Sequence, residues 1–144
     1  MINPAPTSKL DPALARGVLA EIGPMTAGRP DVIVLEFANT NYQLHLKPTA
    51  DIDTPVGKRI IGTIEVPARK IDVVGTGGRY VEPVYGSPRR VQGTIVAITE
   101  RAIVVNAGMP IHCIPTERDQ RPEDFEVGQF VSFDVMPGAS FRPV

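Results

Sequence analysis

The sequence has little of what usually cross-links or activates a small protein, with one cysteine, two histidines and no tryptophan in 144 residues. The single Cys113 excludes an intramolecular disulfide and a cysteine-based zinc site within one chain. No apolar run reaches the length of a membrane-spanning helix, and the first residues lack the basic and apolar regions of a secretory signal. We therefore expect a cytoplasmic protein that contacts no membrane and holds no cofactor or metal.

The overall composition indicates an ordinary globular domain. Hydrophobic residues make up 42% of the chain and charged residues 22%, and 15 Lys and Arg against 16 Asp and Glu give a formal net charge of -1. This balance provides no overall attraction to nucleic acid or to an anionic membrane. With three tyrosines and five phenylalanines, the core must be mainly aliphatic. We predict a single compact domain over residues 1–144.

The two halves of the chain contain the same four apolar segments in the same order. The first copy reads GVLAEI, VIVLEF, YQLHLKPT and VGKRIIGTIEV, and the second reads GTIVAI, AIVVNA, IHCIPT and VGQFVSFDV. The spacing between matching segments changes only in connections rich in glycine, proline or charge, where insertions are tolerated best. We predict two pseudo-repeated four-stranded units, at residues 17–68 and 93–141, joined by a crossover at residues 69–92.

Within these segments, side chains alternate with the period of a β-strand. In the second copy, for example, Val131, Phe133 and Val135 alternate with Ser132 and Asp134. Fifteen prolines and 13 glycines fit closely spaced turns. We predict an all-β fold, a barrel or a sandwich of about eight to ten short strands. In the crossover, KIDVV and RYVEPV are expected to be two further strands with GTGG as the turn between them.

The segment before the first copy carries a helix signal. Asp11 suits the N-cap of a helix, and Pro12 suits its first position. We expect a short helical turn over Pro12–Arg16 followed by a strand, because the matching segment of the second copy predicts a strand there. A helix that continues to Ile22 is the alternative.

Three stretches of the second copy resemble strands of an oligonucleotide/oligosaccharide-binding (OB) barrel of the S1-like type. They are GTIVAI at 93–98, RAIVV at 101–105 and DFEVGQFVSFDV at 124–135. The resemblance implies a small barrel, but the base-stacking aromatic residues expected on its binding strands are missing. SPRRVQG at 87–93 and GQFVSFDVMPG at 128–138 also resemble parts of a PilZ-like barrel, without its acidic-x-Ser-x-x-Gly element for cyclic dinucleotides.

The two histidines occupy the same place in the repeated phrases LHLKPT and IHCIPT. Because side chains alternate along a strand, His45 and His112 should both face away from the core, and Cys113 should face the opposite way from His112. One interpretation is a paired site that binds a metal or serves a hydrolase. We favour the other, a half-exposed position copied by duplication, because the ligand spacings of a zinc site are missing.

The phrase RYVEPVYGSPRR in the crossover interleaves basic and aromatic residues. Such a loop can stack on bases or sugars and pair with phosphates. The candidate binding residues are Arg79, Tyr80, Tyr85, Arg89 and Arg90. The alternative is a connection whose tyrosines cap the barrel and whose arginines pair with nearby acids.

No nucleophile, base and oxyanion donor can be assembled from this sequence, so we favour a non-enzymatic binding or assembly module. The partner is unknown, and nucleic acid or a sugar is one expectation for it. Asn39, Asn41 and Tyr42 in FANTNYQ offer a further hydrogen-bonding rim. The two alternatives are a hydrolase built on the duplicated histidines and a structural subunit of a homo-oligomer that associates through strand edges.

Overall fold

The Val- and Ile-rich segments with period-two alternation form strands in the computed structural model, which describes residues 11–144. The chain is nearly all β, with 51% strand and 2% helix, so the predicted all-β class is confirmed. The strands are β1 (Ala15–Ile22), β2 (Met25–Thr26), β3 (Arg29–Pro30), β4 (Ile33–Glu36), β5 (Gln43–Pro48), β6 (Arg59–Ala68), β7 (Asp72–Val73), β8 (Tyr80–Glu82), β9 (Tyr85–Gly86), β10 (Arg90–Ile98), β11 (Ile103–Asn106), β12 (Pro110–Pro115), β13 (Phe130–Asp134) and β14 (Ser140–Pro143). A 3-10 turn lies at Pro122–Asp124. Within residues 11–144, no helix has the length and apolar character needed to cross a membrane.

Five strands close into a barrel, here called the first barrel, in the order β1, β4, β5, β14, β6 and back to β1. The pairs are antiparallel except for β5 and β14, which run parallel with Lys47 opposite Ser140. The closing pair places Gly17 of β1 opposite Ile60 of β6. Four of the five strands come from the first copy of the repeat, and β14 comes from the end of the second.

The second copy forms a comparable arrangement, here called the second ring. Strand β10 pairs with β11 and β13, and β11 pairs with β12. Strand β12 runs parallel to the second half of β6, with His112 opposite Glu65. A single bridge between Ala68 and Val135 joins that half of β6 to the end of β13.

The pairing registers of the two copies are equivalent, which supports the predicted repeat. Both first strands carry a bulge at the same position, after Leu19 in β1 and after Ile95 in β10. Gly57 donates its backbone N–H to the carbonyl of Leu19 at 2.7 Å, and Gly128 donates to that of Ile95 at 2.8 Å. Both glycines have positive φ, 92° and 99°, a conformation that other residues adopt only with strain. The turn before the fourth strand is therefore the same in both copies.

Each copy completes the other copy's ring with its fifth strand. Strand β14 lies between β5 and β6 in the first barrel, and the second half of β6 lies between β12 and β13 in the second ring. We call this the strand exchange between the copies, and the repeated Pro-Thr phrase lies where it occurs. Thr49 donates its N–H to the carbonyl of Phe141 at 3.0 Å, and Thr116 donates to that of Ala68 at 3.0 Å. The Thr49 hydroxyl also donates to the Phe141 carbonyl, at 3.3 Å, and the Thr116 hydroxyl donates to the Ala68 carbonyl, at 2.7 Å.

The buried apolar residues of both copies form one cluster. It is mainly aliphatic, and its largest fully buried side chains are Phe133 and Phe141. Because β6 contributes to both rings, neither ring keeps all of its strand pairings without the other copy. The edges that the described residues leave unpaired belong to strands of two or three residues, namely β2, β3, β7, β8 and β9, and such short edges are poor templates for pairing with another chain.

The helical turn expected over Pro12–Arg16 is limited to a single hydrogen-bonded turn. The Asp11 carboxylate accepts from the N–H of Ala13 at 2.9 Å, and its carbonyl accepts from that of Leu14 at 3.2 Å. Residues 15 and 16 already belong to β1, because Ala15 pairs with Gly62 of the neighbouring strand β6. Tertiary pairing has replaced the local helix preference, and the strand through Ile22 is as the repeat predicts.

The crossover contains the two strands expected from KIDVV and RYVEPV, but they do not pair with each other. Strand β7 pairs with β13, and β8 pairs with β10. The GTGG turn therefore connects a strand that pairs with β13 to a strand that pairs with β10. Strand β9 was not predicted, and it runs parallel to β5 with Tyr85 opposite Gln43.

Candidate binding cleft

An open cleft of about 1170 Å³ lies beside β5 of the first barrel. Its floor is formed by β5 at residues 45–47. One wall is the crossover at residues 82–84 and 87–90, and the other is the connection from β13 to β14 at residues 134–139. Asp31 and Val32, from the connection that leads into β4, close one end.

The cleft forms where the two copies differ. Strand β6 runs without interruption from the first barrel into the second ring, whereas its counterparts β13 and β14 are separated by residues 135–139. That connection forms one wall of the cleft. Two exposed apolar side chains line the cleft from opposite walls, Met136 of this connection at 40% exposure and Val84 of the crossover at 50%.

His45 forms part of the floor and carries the one orphaned polar atom found among the buried side-chain nitrogens and oxygens of residues 11–144. Its Nε2 is buried and has no hydrogen-bond partner in that part of the chain. The ring packs edge-on against Tyr85, with 4.5 Å between ring centroids and an interplanar angle of 77°. A buried polar atom without a partner costs about 1–3 kcal/mol. Because this nitrogen is closed off from solvent, it is not presented to the open cleft.

The matching histidine of the second copy is satisfied. His112 Nε2 lies 2.9 Å from the carbonyl oxygen of Ala13, to which the protonated nitrogen donates. His112 of β12 lies opposite Glu65 of β6, and Glu65 lies opposite Ser140 of β14. Ser140 in turn lies opposite Lys47 of β5, two residues beyond His45. Three interstrand spacings amount to about 14 Å along the sheet. The two imidazoles have different partners and do not form one site.

Cys113 lies on the core side of β12 and is fully buried. Its Sγ donates to the carbonyl of Ile111 at 3.3 Å. Burial raises the pKa of the Cys113 thiol well above its ordinary value, so the group stays protonated and unreactive. Within residues 11–144, no group of three or more His, Cys, Asp or Glu side chains is placed to hold a metal ion.

The cations of the cleft differ in how they are used. Arg90 donates to Asp134 at 2.7 Å, to Ser132 at 2.7 Å and to the hydroxyl of Tyr80 at 3.3 Å. The hydrogen bonds to Tyr80 and then to Asp134 raise the pKa of Arg90 above its ordinary value. Arg90 therefore holds β8 and β13 in place, and its guanidinium has little capacity left for a ligand.

Two other cations of the cleft are uncommitted. Lys47 on the floor and Arg89 on the crossover wall are both exposed. Neither side chain has an ion-pair or hydrogen-bond partner within residues 11–144. They can therefore pair with an anionic group of a ligand without breaking an existing bond.

The structure divides the five predicted binding residues among different places. Arg89 and Arg90 line the cleft, Tyr85 supports His45 from the side, and Tyr80 holds Arg90. Arg79 lies elsewhere, in a smaller cavity of about 570 Å³ that it shares with the predicted rim of Asn39, Asn41 and Tyr42. The Tyr42 hydroxyl is already used there, because it accepts from the N–H of Val81 at 3.1 Å.

No family model, no curated protein and no solved structure matches this chain. Its function must be inferred from the cleft and its lining. The lining combines aliphatic walls with two uncommitted cations, a set of groups that can hold and orient a ligand.

Proposed function

We propose that this protein is a non-enzymatic binding module and that the cleft beside β5 is its contact surface. The observation that carries the proposal is the open cleft itself, whose lining includes two exposed cations, Lys47 and Arg89, without a side-chain partner in residues 11–144. Uncommitted charges set among aliphatic side chains can hold and orient a ligand.

The position of the cleft supports the same proposal. In the first barrel the strand order is first, second, third, fifth and fourth, and the third and fifth strands run parallel. We take this order as OB-like. OB barrels bind oligonucleotides and oligosaccharides on their second and third strands and on the loops between strands one and two and strands four and five. Here the cleft lies on the third strand, β5, between the connection into β4 and the connection into β14.

The test is a map of ligand contacts by ¹H–¹⁵N NMR of the full chain. Two probes are added separately, a pool of linear peptides and a twelve-residue oligothymidylate. We expect at least one probe to shift the amide signals of Lys47, Val84, Arg89 and Ala139. Amides of the β10–β11 turn at residues 99–102, on the second ring, serve as the internal control.

The outcomes separate a cleft ligand from other modes of contact. Shifts confined to the cleft support the binding module. Shifts confined to residues outside the cleft, or no shifts with either probe, would overturn the assignment of this cleft as the contact surface.

A further inference from the structure

The smaller cavity, of about 570 Å³, lies where matching hairpin turns of the two copies meet. The turn between β4 and β5 covers residues 37–42, and its counterpart between β11 and β12 covers residues 107–109. Both turns line the cavity, together with Arg79 and Val84 of the crossover. We call it the turn cavity, and its volume is in the range of small-molecule sites.

The turn of the first copy is three residues longer than its counterpart. The offset between the copies falls from 70 residues at Ile33 to 67 at His45, so the extra length lies between β4 and β5. The second copy connects the equivalent strands with three residues, so the longer turn is not needed for the hairpin. Its polar residues Asn39, Thr40 and Asn41 all line the turn cavity. Loops longer than the fold requires are where binding groups concentrate.

The longer turn is fixed by its own hydrogen bonds. Thr40 donates its N–H and its hydroxyl to the carbonyl of Phe37, at 3.2 and 2.8 Å, and the hydroxyl accepts from the N–H of Tyr42 at 3.2 Å. The Tyr42 hydroxyl accepts from the N–H of Val81 at 3.1 Å, two residues after Arg79. These bonds tie the turn to the crossover. The chain itself thus holds the walls in position, which lowers the ordering cost of binding.

Three polar side chains of the lining are uncommitted. Asn39, Asn41 and Arg79 are exposed, and none of them has a hydrogen-bond or ion-pair partner within residues 11–144. The two amides offer both donors and acceptors, whereas the guanidinium offers donors only. None of the described residues that line the turn cavity is Asp or Glu, so the lining carries one unbalanced positive charge.

From this set of groups we infer that the turn cavity binds a small hydroxylated anion of the sugar-acid or sugar-phosphate class. The planar guanidinium of Arg79 pairs with the carboxylate or phosphate. The amides of Asn39 and Asn41 bond to hydroxyl groups, which both donate and accept. This site is separate from the cleft beside β5 and goes beyond the proposed function.

The charge of the lining favours an anion in the turn cavity more than in the cleft. The cleft lining holds three Lys and Arg residues and three Asp and Glu residues, so its formal charges balance. In the turn cavity Arg79 is the only charged residue among the described residues of the lining. An anion there meets a positive charge without a neighbouring carboxylate in the wall.

Three ligands that differ in one group test the anion. Glucuronate, glucose 6-phosphate and glucose are added separately to ¹⁵N-labelled full chain at about 20 mM, where dissociation constants in the millimolar range register. We expect at least one of the two anions to shift the side-chain amide signals of Asn39 and Asn41 and the Nε–H signal of Arg79. Glucose lacks the anionic group and should bind at least about tenfold more weakly. The backbone amides of Lys47 and Ala139 in the cleft should stay in place.

Variants then test the individual groups with the anion that binds more tightly. Arg79→Gln should weaken it at least about tenfold. The matched control is Arg118→Gln, which removes the same charge at an exposed position outside the turn cavity and should leave the affinity within about twofold.

The amides are tested by a double variant, Asn39→Gly with Asn41→Ala. It should weaken the same anion at an unchanged melting temperature, because glycine readily adopts the positive φ of 63° that Asn39 has.

Three results would overturn the inference. They are side-chain signals of Asn39, Asn41 and Arg79 that neither anion shifts, equal affinity for glucose and the anions, and equal losses in Arg79→Gln and Arg118→Gln. These three reporters lie outside the cleft. Failure of the turn cavity therefore leaves the proposed function standing, and a cleft that responds to neither peptides nor oligothymidylate leaves the turn cavity standing.

Discussion

Strand exchange makes a strong prediction about Phe141 of β14. The side chain is fully buried, and its residue lies opposite Pro48 of β5 on one side and Ile64 of β6 on the other. Replacing a buried Phe by Ala removes its transfer free energy and leaves a cavity, for a total of about 3–5 kcal/mol. Small domains have a free energy of unfolding of about 5–15 kcal/mol, so Phe141→Ala should remove a large share of it.

The loss should spread to the second ring because β6 belongs to both rings. Urea unfolding followed by far-UV circular dichroism and by tyrosine fluorescence should give one shared transition for wild type and variant. Arg142→Ala is the matched control, since it changes an exposed neighbour on the same strand. Its effect should stay within about 0.5 kcal/mol.

Two results would refute this reasoning. One is a cost below about 1 kcal/mol for Phe141→Ala, which would mean that β14 contributes little to the barrel core. The other is a variant that unfolds in two separate steps while the signals of β10 to β13 survive the first. That outcome would show that the second ring folds independently of the exchanged strands.

Three further predictions concern residues outside the exchange. A thiol reagent should modify Cys113 in urea but not in native protein. Burial raises the pKa of this thiol in the folded state, so only the unfolded chain loses the proton just above the ordinary thiol pKa of about 8.5. The free energy of unfolding of the wild type relative to Cys113→Ala should therefore fall as pH rises above that value. Arg90→Ala should lower the melting temperature by removing the bonds to Tyr80 and Asp134, whereas Arg89→Ala should weaken ligand binding at an unchanged melting temperature. Gly128→Ala places a side chain at φ 99° and should cost about 1–2 kcal/mol in urea unfolding.

The repeat and its strands were predictable because their signals are local. Alternating apolar residues and the Gly57 and Gly128 turns recur in both copies, and the structure gives both copies the same registers. The exchange was not predictable, because β14 pairs with β5 across more than ninety residues and parallel pairing between distant strands leaves no pattern in either segment. The helix signal at Asp11 and Pro12 misled because pairing with β6 outweighs a weak local preference.

The site was predictable only in part, for the same reason. Interleaved Tyr and Arg residues predicted a binding surface in the crossover, and the alternation of side chains along the strand predicted that His45 faces away from the core. Neither pattern could show that the crossover passes beside β5 and makes Tyr85 pack against His45. Arg90 bonds to Asp134, which is 44 residues away in the chain. Sequence alone therefore could not show that Arg90 has a partner and that Arg89 has none.

The most direct test of the cleft as the contact surface is to fill it. Ser87 is exposed and lines the cleft, so Ser87→Trp should block a ligand, whereas Thr76→Trp adds the same ring at an exposed position of the GTGG turn outside it. Isothermal titration with the NMR probe that shifts the cleft amides most should give at least about tenfold weaker binding for Ser87→Trp. Thr76→Trp should bind as the wild type does. Wild-type affinity in Ser87→Trp, with its fold intact by circular dichroism, would contradict the assignment of function to this cleft.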